Sequence, residues 1–487
     1  MSFNSTPMIQ ELRADFDKVL SMVTSPEAAT ATLDQMERSV LRQLLRLGLK
    51  LLKLFVQMRV AAESHQGLHI GRKRWSYHSQ KDRDYFSFFG KLTFGRAYFY
   101  SKRHGGKCPL DEALSIPEHC YSDLLMESAE LLAVEGSYAK GLQVLARLLG
   151  IDLSEAAVET AAWEQAQTVE AFYTQQVPPP VTEEGVLLVA QADGKGVPMV
   201  RPADEATPKP VRRGKGAKKS RKKEAIATSL YTIDCYARTA QDVVEALFRR
   251  ETEPKARPTP CGKRVFASLD GKAAALERLA GWAEQRDGKH IRGRVALTDG
   301  SPALQAQTQS HLSDFTLVLD ILHVNNHLWK AGTALYGETN PARDTWVETQ
   351  LGELLASHGK TVIRRLEKHR QGVAPKGAAG RALRQVTHYL RQNLPYMDYA
   401  SYLRHGWPIG TGVVEGTCRH LVKDRMELSG MRWTVPGAEA ILALRAVNEN
   451  GDWEAFHTFR RTKRHQRLYE TPMNTAWLDH AERFQIN

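Results

Sequence analysis

The chain has 487 residues, with 67 Lys and Arg against 55 Asp and Glu, for a formal net charge of +12. A chain of this length divides into more than one domain, and its positive excess points to an acidic partner, nucleic acid foremost. No run of roughly eighteen apolar residues exists to span a membrane, and MSFNSTPMIQELRADFDKVL carries acids where a secretion signal needs an apolar core.

Residues 8–62 read as helical, because SVLRQLLRLGLKLLKLFVQMRV repeats leucines three and four apart. YFSFFGKLTFGRAYFYSKR alternates aromatic and polar residues around Gly90 and predicts a hairpin from about Asp84 to Tyr100. In Ser137–Ala166, Ser137 and Ser154 suit N-caps and Gly150 suits a helix end. Two short helices around a tight turn have the form of a helix-turn-helix, whose second helix enters a major groove. Glu155 and Glu159 at the start of that helix are poor partners for phosphate and favour a packing role.

QQVPPPV, around Pro178, reads as a stiff linker and a domain boundary. Strand candidates follow in GVLLVAQADGKG, AIATSLYTIDCY, KRVFASLD and RGRVALTDG. Between the first two lies KPVRRGKGAKKSRKKE, with nine Lys or Arg from Lys209 to Lys223. Such a run is a solvated loop whose charge suits phosphate, and Arg212, Arg213, Lys218, Lys219, Lys222 and Lys223 are candidate DNA contacts. SDFTLVLDILHVNNHLWKA reads as strand then helix, and residues 330–404 carry helical patterns only. The sheet is thus interrupted by a helical insertion before HGWPIGTGVVEGTCRHLVKDRMELSGMRW resumes it.

That last block is a turn followed by a basic helix, with Glu415 at its head and Arg419, His420, Lys423 and Arg425 along it. Asp193 and Asp299 end the first and fourth strand candidates, where a side chain reaches the rim of a sheet. A helix across that rim brings Glu415 to both. Three clustered carboxylates repel one another unless a cation sits among them. Hard oxygen ligands suit Mg2+ or Mn2+, and two such ions clamp the attacking and leaving oxygens of a phosphodiester. Arg419 and Lys423 then face the phosphate backbone. Asp234 and Asp270 also end apparent strands, and position alone does not separate them from the others.

ADGKGV, LTDGSP, DILHVNNHLWKA and the Gly406–Trp433 block resemble the signature blocks of ISKra-type insertion-sequence transposases, as do PLDEALSIP and AEAILALRAVNENGDWEAF. The resemblance spans roughly residues 80–460. It implies an α/β architecture: a ribonuclease-H-like catalytic core interrupted by an all-helical insertion, with a mainly helical N-terminal DNA-binding region. In such a sheet the first and fourth strands are neighbours, which favours Asp193 and Asp299 over their rivals. The implied activity is that of a DDE transposase of the nucleoid, which cleaves and joins DNA with Asp193, Asp299 and Glu415 as catalytic residues and ligands of two Mg2+ or Mn2+ ions. A nuclease or junction resolvase of the same fold, or a non-catalytic DNA-binding derivative, is the alternative.

Similarity to Mutator-like enzymes adds Asp320 and His323 as an auxiliary pair, either touching the scissile phosphate or joined in a buried hydrogen bond. Trp329 is a candidate base-stacking residue, although a core anchor is the commoner role; Trp407 and Trp433 read as packing residues. The implied partners are double-stranded DNA, both element ends and target, and a second copy of the chain. The reading divides the chain into a helical region over 1–80, suited to dimerisation; a DNA-binding region over 81–176; a core over 177–329 and 405–460; an insertion over 330–404; and a tail over 461–487. Five cysteines without a C-x-x-C pair fit a reducing cytoplasm.

Overall fold

The computed structural model describes residues 4–70, 72–200, 222–250 and 256–470. The chain is mixed α/β and divides into two compact units, Met1–Thr168 with Trp453–Asn487, and Val169–Asp452. Among the described residues no helix is long and apolar enough to cross a membrane.

In the first unit, α1 (Thr6–Thr24) and α2 (Leu33–Ala61) pack as a helical hairpin. The single helical stretch expected over 8–62 breaks at a short 3-10 turn, Pro26–Thr30, after which Thr32 and Gln35 close a capping box on α2. An antiparallel sheet follows, ordered β1 (Leu68–Ile70), β2 (Lys73–Ser87), β3 (Gly90–Ser101) and β4 (Gly105–Lys107). The expected hairpin is therefore longer than its apolar alternation. Most of the first ten residues of β2 are exposed, so they carry no core pattern to read. Leu49, Leu52 and Val56 of α2 pack with Leu92 and Phe94 of β3.

After a short α3 (Pro109–Ala113), three helices pack on one another: α4 (Asp123–Glu135), α5 (Tyr138–Leu149) and α6 (Glu155–Ala166). Ser137 accepts the Lys140 N–H, Gly150 closes α5 at φ 69°, and Ser154 accepts the Ala157 N–H. Glu155, Glu159 and Thr160 of α6 are exposed, while Val158 and Ala161 join Met126 and Leu145 in the core between the helices.

The C-terminal helix, Trp453–Tyr469, belongs to this first unit, whereas the sequence reading ran the second core to residue 460. Paired charge holds it there. Arg460 reaches Asp123 at 3.1 Å and Glu127 at 3.2 Å, and Arg464 grips both carboxylate oxygens of Asp123, at 2.5 and 2.9 Å. Burial raises the Asp123 carboxyl, but the hydrogen bond and charge of Arg464, with Arg460, outweigh it and bring the group from 3.8 down to about 2. A depressed carboxyl stabilises the fold fully above its unfolded pKa and stops doing so as pH falls through the folded value. Asp123→Ala should therefore cost about 3 kcal/mol at neutral pH by leaving Arg464 unmatched. In chemical denaturation the gap to the parent should shrink between about pH 4 and pH 2; a gap that persists undiminished would contradict the ion-pair account.

The second unit opens with α7 (Val169–Thr174), ahead of the boundary expected near Pro178. Its sheet has the order β7 (Cys261–Ser268), β6 (Lys222–Ile233), β5 (Leu187–Pro198), β8 (Gly293–Thr298) and β9 (Thr316–Leu319). β6 is antiparallel to both neighbours, while β8 and β9 run parallel to β5, and α8 (Ala240–Leu247), α9 (Lys272–Arg286) and α10 (Pro302–His311) follow β6, β7 and β8 in turn. The edge strand β7 is closed by Asn450, whose side chain accepts from Val265 N–H at 2.8 Å and donates to its carbonyl at 3.1 Å.

Side chains alternate across a strand. Leu187 and Val189 of β5, Val295 and Leu297 of β8 and Val318 of β9 face one core, shared with Val324 and Leu328 of α11 (Ile321–Tyr336). The insertion helices α12 (Pro341–Leu355), α13 (Gly359–Gln371) and α14 (Ala378–Asn393) bury Val347, Leu351, Val362 and Leu383 in the same core. A short α15 (Tyr399–Arg404) precedes the Gly-rich block. That block adds helices to the unit and no strand to the sheet: α16 (Gly412–Thr417), a π-helical turn (Cys418–Lys423) and α17 (Asp424–Met426). It packs on β5 and β6 and pairs with the chain beyond β5 through a bridge between Met199 and Trp433. α18 (Val435–Glu449) then packs on β7.

Candidate active site

Period two carries the core-facing parity of β5, β8 and β9 forward to Asp193, Asp299 and Asp320. All three therefore stand on one face at one rim. Asp193 lies inside β5 and does not end it, because the hairpin with β6 runs on to Pro198. Its pairing with β8 nevertheless stops at Gln191, so Asp193 is the first same-face residue past that ladder. Asp299 directly follows β8, and Asp320 directly follows β9.

Strand direction separates the rivals. β6 runs against β5, and Ile233 pairs with Leu187, so Asp234 sits at the opposite rim. β7 ends at the same rim as Asp193, but β6 stands between them, and Asp270 is exposed.

Asp320 is fully buried and caps α11. It accepts the Leu322 and His323 N–H groups at 3.0 and 3.2 Å, His323 Nδ1 at 2.6 Å, and Thr411 N–H and Oγ1 at 3.1 and 2.8 Å. One carboxylate thus ties β9 and α11 to the loop that carries Glu415. Gln191 does the same from β5, accepting the Val414 N–H at 2.9 Å and donating to the Tyr231 hydroxyl at 2.9 Å. Between them, Asp320 and Gln191 fix the backbone on which Glu415 is mounted.

The hydrogen bond from His323 to Asp320 raises the imidazole's pKa against the opposing effect of burial, with Asp320, Asp299 and Asp193 adding negative charge around it. Its Nδ1 is committed to Asp320, which leaves Nε2 as the atom that can face a substrate. Burial raises the Asp193 carboxyl, and Asp299 raises it further against the Gly194 N–H that Oδ1 accepts at 2.7 Å. Burial also raises Glu415, with Asp320 and Asp193 adding to it. The buried Cys418, on the turn after α16, directs its thiol to Asp193 Oδ2 at 3.5 Å. Among the described residues, one set of three metal-type side chains brings its ligand atoms within 4.8 Å of one another: Asp320, His323 and Glu415. Asp193 and Asp299 flank this set as charged neighbours and do not complete a compact triad with Glu415. Their oxygens are turned instead toward the N–H groups of Gly194 and Ser301.

The insertion shapes the same rim. Tyr389 of α14 donates to the Asp299 carbonyl at 2.9 Å and stacks on His327 of α11 at 4.1 Å. Gly300 has a φ of 88°, and a Cβ there would meet the Tyr389 ring at 2.8 Å, so this turn requires glycine.

The expected DNA contacts divide. Arg419, His420 and Lys423 are exposed, with His420 paired to Asp424 at 3.2 Å. Arg425 is fully buried over the Trp433 ring, 4.7 Å from its centroid, and is a packing residue. Trp329 packs against Phe248, with Arg343 over its ring at 4.9 Å, so it too is a core anchor and no open stacking surface. Trp407 stacks on Tyr402 and Trp433 is buried. Lys222 pairs with Glu427, and Lys223 is exposed. Arg212, Arg213, Lys218 and Lys219 lie outside the described residues. Sequence reasoning missed Gln191, Thr411, Tyr389 and Cys418. Of these only Gln191 left a signal, as a polar residue in an apolar run two positions before Asp193.

No family model matches the chain, and no curated protein matches it. Among solved structures it is similar to the Drosophila P element transposase strand transfer complex, at 10% identity and a TM-score of 0.23, over 75% of this chain and 86% of that chain. A likeness at that score carries no argument about fold or chemistry.

Proposed function

We propose that the chain is a DNA transposase with a ribonuclease-H-like core, which cleaves element ends and joins them to target DNA. The observation that carries this reading is that Asp193, Asp299 and Asp320 stand on one face of one rim, with His323 and Glu415 gathered on Asp320, in a chain of net charge +12. The resemblance of the Gly406–Trp433 block to ISKra-type transposases supports it.

Hard carboxylate oxygens and the mutual repulsion of these acids fit divalent cations, Mg2+ or Mn2+. Asp320 spends both oxygens on five donors, so Asp193, Asp299 and Glu415 remain as the ligands that would hold two such ions. When bound, the ions supply Lewis-acid activation of water and of the leaving oxygen. The protein's own part is to fix the scissile phosphate. His323 Nε2 meets a phosphate oxygen, while Arg419 and Lys423 grip the backbone alongside. Water attacks the phosphodiester and frees a 3′-hydroxyl, which then attacks target DNA, with no covalent protein–DNA intermediate.

The test uses the full chain with a duplex bearing the inverted repeat that flanks its coding region. Strand-specific cleavage that requires Mg2+ or Mn2+, followed by joining of the new 3′-hydroxyl to a second duplex, supports the reading. A covalent adduct with the protein, or hydrolysis without joining, overturns it.

The exposed cations make a separate prediction. Arg419→Ala with Lys423→Ala should reduce the slope of log binding constant against log salt by about two. Arg425→Ala should leave that slope unchanged and instead lower the stability of the second unit by about 2 kcal/mol. Salt titrations and thermal melts of the two variants separate surface contact from packing.

A further inference from the structure

We infer that the α1–α2 hairpin is a homodimerisation surface, covered by the same hairpin of a second copy of this chain. The inference rests on the two helices and not on the catalytic reading. α2 uses Leu49, Leu52 and Val56 against its own sheet. It also leaves Leu41, Leu44, Leu51, Phe55 and Met58 between 48% and 52% exposed. With Gly48 in the gap, these positions advance by three, four, three, four and three, the heptad spacing that fits another helix and no strand or loop. Phe89 covers Gly48 and is itself partly exposed, so the stripe is continuous there. α1 repeats the arrangement: Leu12 is buried within the unit, while Phe16, Leu20 and Val23 are 45% to 50% exposed at spacings of four and three.

Among the described residues, ten of the 24 exposed large apolar side chains fall between Ile9 and Met58. Apolar patches of this size on soluble proteins are rare and often functional. At half exposure, the eight side chains of the two stripes would bury on the order of 500 Å² of apolar surface per copy. With the polar share of an ordinary interface this approaches the roughly 800 Å² per partner of a stable complex.

Charge selects the occupant. α2 carries Arg38, Arg42, Arg46, Lys50, Lys53 and Arg59 against Asp34 and Glu37, while α1 carries Glu11, Asp15 and Asp17 against Arg13 and Lys18. Already within one copy, Lys50 bonds Glu11 and Asp15. A twofold axis that sets α1 of one copy against α2 of the other repeats this complementarity and closes a four-helix bundle with no apolar stripe left over.

Sedimentation of the full chain should show a dimer at micromolar concentration. Leu51→Glu with Phe55→Glu should weaken its dissociation constant at least a hundredfold or so, with the far-ultraviolet circular dichroism unchanged, because both side chains face water. Phe55→Leu should keep the dimer. Three results overturn the inference: a parent that stays monomeric at tens of micromolar, a double-Glu variant that dimerises like the parent, and a monomer whose hairpin becomes accessible to an apolar dye only when residues 471–487 are deleted. The last would make the chain's own tail the occupant.

Discussion

Under the proposed function, Asp193→Asn, Asp299→Asn or Glu415→Gln should each lower DNA strand cleavage at least about a thousandfold, because losing one ligand of a metal clamp would add several kcal/mol to the barrier. Each amide keeps the size of the acid but loses the charge and one hard oxygen. Binding of an end duplex should remain close to the parent's, or tighten slightly, because one source of repulsion between protein and phosphate is gone. Asp234→Asn and Asp270→Asn serve as controls. Asp234 stands at the far rim, and β6 separates Asp270 from Asp193. Cleavage by either control should stay within a few-fold of the parent. Near-parental cleavage by Glu415→Gln would remove Glu415 from the ligand set, and Asp320 and His323, the two residues it is packed against, would be the next candidates.

Asp320→Ala should do a different kind of damage. The side chain is fully buried, and five donors converge on it from α11 and from the loop before α16. Truncation strands Thr411 and both N–H groups of the first turn of α11, at a cost of about 3–5 kcal/mol for a broken buried charge. In a unit of this size that corresponds to a melting temperature lower by roughly 10 °C. Cleavage should fall as well, because the segment carrying Glu415 loses its anchor on β9. Asp320→Asn retains one acceptor oxygen and should lie between the parent and Ala in stability. A melting temperature for Asp320→Ala equal to the parent's would show that the five hydrogen bonds do not carry this junction. Gln191→Leu removes the second anchor, on β5, without a buried charge, and should lower cleavage more than stability.

The caps show what local sequence decides. Ser137, Gly150 and Ser154 end and start helices where their side chains and backbone freedom demand, and no distant residue is needed. Period two places Asp193, Asp299 and Asp320 on the core-facing side of their strands for the same reason, since each follows an apolar run whose parity it inherits. The parity of these acids was therefore legible, although β5 runs on past Asp193 to Pro198. Which of them share a rim was not, because that depends on strand direction. The antiparallel course of β6 sends Asp234 away from Asp193, and no feature of AIATSLYTIDCY records it.

Burial of polar groups was equally hidden. Arg425 follows Lys423 by two residues and reads like it, yet Trp433 lies under its guanidinium while Lys423 faces water. Trp329 gains its neighbours from Arg343, on the next helix, and from Phe248, far upstream in sequence. The C-terminal helix joins the first unit through Asp123 and Glu127, more than three hundred residues upstream. Even the contact of Arg425 with Trp433, eight residues on, needs a bend in the chain, and those of Trp329 with Phe248 and of the C-terminal helix with Asp123 close only when the fold brings distant residues together. Local pattern fixed the elements and the parity of their acids, whereas tertiary packing decided which charges face solvent and which hold the protein together.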